Sequence, residues 1–330
     1  MKKVKNVLIT GGAGYVGAAL VPRLLDLGYR ITVLDLMIYG DQVLPADHPD
    51  LRIEVGDIRD LALLKRLMPG QDAVIHLACI SNDPSFELNP SLGKSINLDA
   101  FEPLVETASN HGVDRFIYAS SSSVYGIKTE ANVSELMTLE PLTDYSRYKA
   151  DCEQILAQYA SKDFTTVTVR PATVCGYSPR QRLDVVVNIL TNLAYHTREI
   201  SVFGGSQLRP NIHISDMVEA YRVILEADDQ RINGEVFNAG YENHPVQEIA
   251  ETVREVVGED VRLITTPTDD NRSYHISSEK IKHQLGFLPT HTIRDAVKDL
   301  VAAFKEGLLP NSLNDERYFN IKRMQSLNLE

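Results

Sequence analysis

Cysteine is scarce. The three present, Cys79, Cys152 and Cys175, stand far apart with no CxxC or Cys/His ligand spacing. This excludes a disulfide framework and a zinc ribbon and points to a reducing, cytoplasmic setting. The nine histidines are scattered without an HxH or HxxxH pair, so no metal site is expected. No apolar run approaches the ~20 residues that span a bilayer. The start, MKKVKNVLIT, opens like a secretory leader, but glycines break its apolar run and no cleavage motif follows. It reads instead as a first strand. Positive charge is also short: 33 Lys and Arg against 45 Asp and Glu leave a net charge of −12. General affinity for nucleic acid or an anionic membrane is therefore excluded as an expectation, and any anionic ligand must meet a locally basic pocket. No internal repeat or low-complexity linker is present.

What is present suits a folded chain with a sizeable core: 43% hydrophobic and 24% charged residues over 330 positions. The first half alternates short apolar runs with helical patterns, which predicts an α/β fold with a doubly wound parallel sheet. Strands are expected at 7–10, 30–34, 52–55, 73–77, 115–119 and 166–170. Helices are expected at 18–27, from about 60 to 68, and at 92–111 and 144–159, with a polar loop at 81–90. Beyond Pro171 the rhythm becomes irregular. A turn is expected at 203–207, a strand at 211–214, a helix at 216–227 capped by Ser215 or Asp216, and a strand at 236–238 returning to the main sheet. Further helices are expected at 246–257, 278–285 and 293–305. The tail, 310–330, is polar with scattered aromatics, and its sequence says little. The expected division is a dinucleotide-binding domain over 1–171, with returning segments near 211–240, and a smaller, mainly substrate-binding α/β domain over 172–330.

The stretch VLITGGAGYVG, 7–17, reads as strand, tight turn and helix start. Gly11, Gly14 and Gly17 let the chain turn without Cβ clashes and bring backbone N–H groups against a pyrophosphate at the positive end of the next helix. A second strand ends in Asp35, 18 positions beyond Gly17. A carboxylate there can accept both hydroxyls of an adenosine ribose and would repel the extra phosphate of NADP, so NAD is the expected cofactor. Asp57 ends the third strand on the same rim. It either bonds the adenine amino group or caps the following helix.

Ser121, Tyr145 and Lys149 form a second constellation. Tyr145 and Lys149 are four apart on an expected helix, hence on one face, and Ser121 ends a strand. A phenol titrates near ~10 in water, and a nearby ammonium is expected to lower that value. A serine hydroxyl can orient a substrate oxygen. Tyr148 is an adjacent competitor, but the YxxxK spacing selects Tyr145.

These motifs, with GDIRD at 56–60, HLA at 76–78, SSSSVYG at 120–126, YSRYK at 145–149, RPATVCG at 170–176 and RPNIHISD at 209–216, resemble the extended short-chain dehydrogenase/reductase family, in its nucleotide-sugar epimerase and dehydratase branch. The resemblance covers nearly the whole chain. It implies a Rossmann-type sheet, tightly held NAD and a sugar nucleotide bound by the smaller domain. It also implies a Tyr145 base, a Lys149 that holds the nicotinamide ribose and tunes Tyr145, and a Ser121 that bonds the reacting hydroxyl. Cofactor contacts are implied at Tyr15, Val16, Ile58, Leu77, Ala78 and Pro171 as well.

The two positions after the serine carry subfamily chemistry. Similar 4,6-dehydratases place Asp-Glu there, decarboxylases a Glu and 3,5-epimerases a Cys; this chain has Ser122 and Ser123. Without a carboxylate for the C5 proton, dehydration is disfavoured. The expected activity is an NAD-dependent nucleotide-sugar 4-epimerase, with a 4-dehydrogenase or 4-ketoreductase as the alternative and a silent NAD-binding regulator a distant third. By the same resemblance Arg209 and Arg272 meet the nucleotide diphosphate through guanidinium forks, and Asn188 meets the nucleotide or a phosphate. Thr173 stands where relatives often have asparagine. Ser81, Asn82, Ser122, Arg180 and Arg182 are candidates for the sugar pocket, though Asn82, Asp83 and Pro84 are equally suited to a turn. Relatives pair through two long helices, here 92–111 and 144–159, so a homodimer is expected.

Overall fold

The structure, a computed structural model, describes residues 4–40, 42–130, 132–268, 273 and 275–327. Its strands begin with β1 (Asn6–Thr10), β2 (Arg30–Asp35), β3 (Leu51–Val55), β4 (Ala73–His76), β5 (Arg115–Ala119) and β6 (Thr165–Pro171). There follow β7 (Thr173–Cys175), β8 (Glu199–Phe203), β9 (Leu208–His213), β10 (Glu235–Ala239), β11 (Glu242–Pro245) and β12 (Arg262–Thr266). Val7, Leu8 and Ile9, like Ala73, Val74 and Ile75, are wholly buried. Such continuous apolar runs belong to parallel strands covered on both faces.

Seven strands make that sheet in the order β10-β6-β5-β4-β1-β2-β3, all parallel. Val7 stands opposite Ile31 on one side and Ala73 on the other. The winding reverses between β1 and β4, so their carboxyl ends flank the crevice where such folds bind ligands. β7, β9 and β11 form a three-stranded sheet, and β8 pairs with β12.

The helices are α1 (Gly17–Asp26), α2 (Leu61–Leu67), α3 (Asp83–Leu88), α4 (Pro90–Lys94), α5 (Phe101–Asn110), α6 (Asp144–Tyr159) and α7 (Val186–Thr197). α8 (Ile214–Glu226), α9 (Asp229–Ile232), α10 (Val246–Val257), α11 (Glu279–Leu285), α12 (Ile293–Lys305) and α13 (Asn320–Leu327) complete the set. Alternation along β1 sends Val7 and Ile9 to one face, with Leu20 and Val21 of α1 and Met217 and Ile224 of α8. Leu8 faces the other way, with Leu64 of α2, Leu104 of α5 and Leu156 of α6. A separate core joins Val187 of α7, Ile200 of β8, Ile249 of α10 and Val297 of α12.

Three expectations need correction. The helix expected at 92–111 is broken: between α4 and α5 the chain makes a wider π turn, Ser95–Asp99. That turn carries buried Asn97, which accepts from Ile80 N (2.8 Å) and donates to Ile80 O (2.9 Å) at the edge of the crevice. The loop expected at 81–90 contains α3, because Asn82 caps it by accepting from Ser85 N (2.9 Å) and Pro84 suits its first turn. α8 is capped by His213, whose Nδ1 accepts from Ser215 N (3.1 Å), and not by Ser215 or Asp216. Asp216 instead accepts from the backbone of Thr290 and His291. The tail, of which the sequence says little, folds into α13 and returns to the crevice.

Candidate functional site

The crevice at the carboxyl ends of β1, β2, β4 and β5 is a cavity of about 380 Å³. Its floor is the turn after β1. Gly11 has φ +74°, and a Cβ there would lie 2.5 Å from Ala78 N; at Gly17 it would lie 2.5 Å from Gly12 O. Both positions therefore require glycine. α1 starts from Val16 with no side-chain cap; Ala18 N and Ala19 N donate to Gly14 O (2.8 Å) and Val16 O (3.1 Å), so an anion here meets the helix start from the turn ahead of them.

Asp35 is fixed against this turn: Oδ2 accepts from Ala13 N (2.9 Å) and Oδ1 from Met37 N (2.8 Å). Burial pushes its carboxyl up from the ordinary range, opposed by those two backbone donors and by Arg180. Asp57 behaves oppositely. Burial would raise it, but Arg59, at 2.7 Å, holds it below the usual range. It does not cap α2; Asp60 does, accepting from Leu63 N (3.0 Å).

At the reacting end, Lys149 donates from Nζ to Ala119 O (2.6 Å) and lies 5.0 Å from the Tyr118 ring centre and 5.9 Å from that of Tyr145. Burial pushes the Tyr145 phenol up, with Cys79 and Asp83 adding to the rise and Arg182 and the Ser121 hydroxyl opposing it. Lys149 donates to a carbonyl here, and burial outweighs its ammonium in setting the direction for the phenol. Ser121 Oγ accepts from Ser123 N (3.1 Å) and shares a hydrogen bond with Ser123 Oγ (2.8 Å). His76 beneath them is a core group. Burial, then Lys149, pushes it down to about 3, and its Nδ1 bonds Thr10 Oγ1 at 2.6 Å.

The far wall is built by a loop at 176–184. Asn188 braces it, accepting from Gly176 N (3.0 Å) and donating to Arg182 O (2.8 Å) and Tyr15 OH (3.0 Å). Tyr15 OH donates to Gly176 O (2.6 Å), and Ser178 Oγ to Tyr15 O (2.7 Å), so the loop is bolted to the glycine turn. Arg182 pairs with Asp184 (2.6 Å). Arg180 stacks 3.5 Å from the Tyr39 ring centre and donates to Asn320 Oδ1 (2.6 Å), while Asn320 Nδ2 donates to Ser81 Oγ (2.8 Å).

Of the residues singled out in the sequence, Gly11, Gly14, Tyr15, Val16, Gly17, Asp35, Asp57, Ile58, Leu77, Ala78, Ser81 and Asn82 line this one cavity. So do Ser121, Ser122, Tyr145, Lys149, Pro171, Thr173, Arg180 and Arg182. Asn188 does not: it is wholly buried and spent on the loop. Arg209, on β9, is also outside the lining and donates to Leu208 O (3.0 Å). Arg272 lies outside the described residues. Sequence reasoning missed Tyr39, Asn320 and Met324, all in the lining. The apolar spacing Ile321, Met324, Leu327 signals α13 but not where it docks. Among the described residues no group of three or more His, Cys, Asp or Glu is arranged to hold a metal, and no helix is long and apolar enough to cross a membrane.

Comparison with known proteins agrees with this geometry. A dTDP-glucose 4,6-dehydratase of Streptomyces griseus is 28% identical over 311 residues, 90% of this chain and 93% of that protein. A UDP-glucose 4-epimerase of Corynebacterium glutamicum is 27% identical over 313 residues, 89% and 94% respectively. Among solved structures, MoeE5 in complex with UDP-glucuronic acid and NAD superposes with a TM-score of 0.81 at 27% identity, covering 92% of this chain and 99% of that one. The description "NAD dependent epimerase/dehydratase family" matches residues 7–240. That stretch opens in β1 and closes just past β10, so it takes in the whole crevice floor and the Ser121, Tyr145 and Lys149 cluster; this chain is an NAD-dependent enzyme and belongs to the NAD dependent epimerase/dehydratase family.

Proposed function

We propose that this enzyme is a nucleotide-sugar 4-epimerase working through a transient 4-keto sugar. The observation that carries the reading is the pair after Ser121. Ser122 is buried, and Ser123 is bonded to Ser121 (2.8 Å), so neither position offers the carboxylate that water elimination needs. Asp83 brings a carboxylate whose charge reaches Tyr145, but its Oδ1 accepts from Thr143 Oγ1 (2.5 Å).

NAD fits the residues present. The uncapped start of α1, with Gly11, Gly14, Tyr15, Val16 and Gly17, receives the pyrophosphate. Asp35, already held by two backbone donors, keeps lone pairs for the ribose hydroxyls. Asp57 and Ile58 border the adenine, and Leu77, Ala78 and Pro171 wall the remainder. Bound in its oxidised form, NAD supplies the hydride acceptor and a positively charged ring.

Tyr145 takes the proton of the sugar hydroxyl and returns it after the keto sugar has turned its other face. Ser121 orients that hydroxyl, itself oriented by Ser123. Lys149 holds the nicotinamide ribose and supplies the nearest ammonium. Arg182, Thr173, Ser81 and Asn82 surround the sugar nucleotide. α5 and α6 lie side by side, with Tyr159 OH donating to Glu102 (3.3 Å), and offer the paired face of a homodimer; light scattering at micromolar concentration tests it.

Purified protein incubated with UDP- and dTDP-sugars, without added NAD, is expected to interconvert C4 stereoisomers. A net NADH change that depends on added cofactor would instead establish the 4-dehydrogenase or 4-ketoreductase, and release of a 4-keto-6-deoxy sugar a dehydratase.

A further inference from the structure

Arg180 is 3% exposed, yet no carboxylate stands within ion-pair distance of it among the described residues. Its neighbour Arg182 is neutralised by Asp184 (2.6 Å), and the same carboxylate also accepts from Asn320 N (2.8 Å). Arg180 has only the amide oxygen of Asn320, the face of Tyr39 and a buried Nε–H with no partner. A cation–π contact offsets only part of the cost of taking a guanidinium out of water, and a buried cation calls for an anion with hydrogen-bond acceptors. Burial pushes the guanidinium down to about 10, with neighbouring Arg182 adding to the fall and Tyr39, Asp184 and Tyr15 opposing it.

The two arginines stand close together on the loop: both are felt at Tyr15 and Tyr39, and Arg182 also at Tyr145. Arg180 is felt at Asp35, whose carboxylate it favours, and it stacks on Tyr39. Arg180 therefore belongs to the glycine-turn side. Its loop is tied to that turn through Tyr15 and Ser178 (2.7 Å).

The geometry points to Arg180 as a clamp on the anionic pyrophosphate of NAD, positioned by Asn320 from the C-terminal helix. Cofactor binding is thus completed by two segments outside the parallel sheet, the 176–184 loop and α13. Asn320 is a positioning residue: it holds the guanidinium through Oδ1 and anchors to Ser81 and Asp184. Arg323, donating to Ile38 O, fastens the same helix beside Tyr39. α13 then acts as the latch that keeps NAD in place. The inference rests on the family's NAD dependence and not on the epimerase reading, and its readout needs no sugar turnover.

The test is NAD loss from the purified holoenzyme, followed as cofactor recovered after denaturing samples at intervals of dialysis. Arg180→Met is expected to release NAD roughly tenfold faster or more, Arg180→Lys to fall between it and wild type, and Asn320→Ala to release it about threefold faster. Melting of the NAD-free Arg180→Met protein is expected at or above the wild-type temperature, because a buried unpaired charge has been removed. That combination, a protein no less stable that cannot keep its cofactor, is one that a merely structural arginine does not give. A second arm measures UDP and dTDP binding to the holoenzyme by calorimetry, since a sugar nucleotide carries a diphosphate too. Unchanged NAD loss in Arg180→Met overturns the inference. So does weakened UDP or dTDP binding with NAD retention intact, which would assign Arg180 to the substrate.

Discussion

The two walls of the cavity are made in different ways. On the sheet side Gly11 follows β1, Asp35 ends β2, Ala78 follows β4 and Ser121 follows β5, with Tyr145 and Lys149 brought in by α6. The opposite wall comes from the 176–184 loop and from Asn320 and Met324 of α13, about 140 residues further along the chain. The first wall is positioned by sheet register, which one backbone pattern dictates. The second is positioned by particular side-chain bonds, such as Asn188 to Gly176 and Tyr15, or Asn320 to Arg180 and Ser81. Strand-end sites are robust to changes of side chain nearby; bonded-loop sites fail one bond at a time.

The largest effect separating the walls is expected at the reacting end. Tyr145→Phe removes the proton acceptor while leaving both walls standing, and kcat is expected to fall ~10³-fold, within the range for loss of a general acid or base. NAD retention and melting temperature are expected to stay near wild type. An unaltered kcat would remove Tyr145 from the proton-transfer role.

Next comes Asp35→Ala, aimed at the sheet-positioned wall. Loss of two hydrogen bonds to the ribose, about 1 kcal/mol net each, is expected to weaken NAD binding by roughly 10- to 100-fold. Because burial raises Asp35, its pH dependence is displaced. As pH falls, wild-type NAD affinity is expected to drop above the ordinary carboxylate range, since the protonated group cannot accept both hydroxyls; the alanine variant is expected to be flat there. For stability the sign is reversed. A carboxyl raised by folding favours the cofactor-free fold below its unfolded value and ceases to do so as pH rises through the folded one. Calorimetric titration of NAD against pH checks the first part, and melting of cofactor-free protein the second.

Asn188→Ala sharpens the contrast at the other wall. It strands Gly176 N–H and frees Tyr15 OH, both buried, and is expected to cost about 1–3 kcal/mol of stability. If Asn188 met the nucleotide as the resemblance implies, KM would rise with melting unchanged. Denaturant unfolding measured beside KM separates the two.

The same contrast explains what could be read from sequence. The positions of the parallel strands along the chain, the glycine turn, Asp35 and the YxxxK face follow from local periodicity and fixed spacing, and those residues do converge on one cavity. Asn188 and Arg209 were legible as motif residues, but a motif gives a position in the chain and not the partner a side chain finds after folding. α3 was hidden because Asn82, Asp83 and Pro84 suit a turn as well as a helix cap. The π turn at 95–99 and the docking of α13 depend on long-range bonds, Asn97 to Ile80 and Asn320 to Arg180, which no local pattern encodes.

The smallest expected effect lies where the walls meet. Ser123→Ala removes the hydroxyl that shares a hydrogen bond with Ser121 Oγ (2.8 Å) but leaves Ser123 N donating to the same oxygen (3.1 Å). Ser121 therefore keeps its place as the cap of the short turn at Ser122–Tyr125 and loses only one of two constraints on its orientation. One hydrogen bond of this kind is worth about 1 kcal/mol net, so kcat is expected to fall roughly fivefold, with NAD retention unaltered. If Ser123 instead stood in for the missing carboxylate as a proton-transfer group, the loss would approach that of Tyr145→Phe. Solvent deuterium incorporated into product would then disappear with it. An epimerase that acts only at C4 leaves the C3 and C5 protons of its keto intermediate in place, so its product is expected to carry no solvent deuterium in either protein.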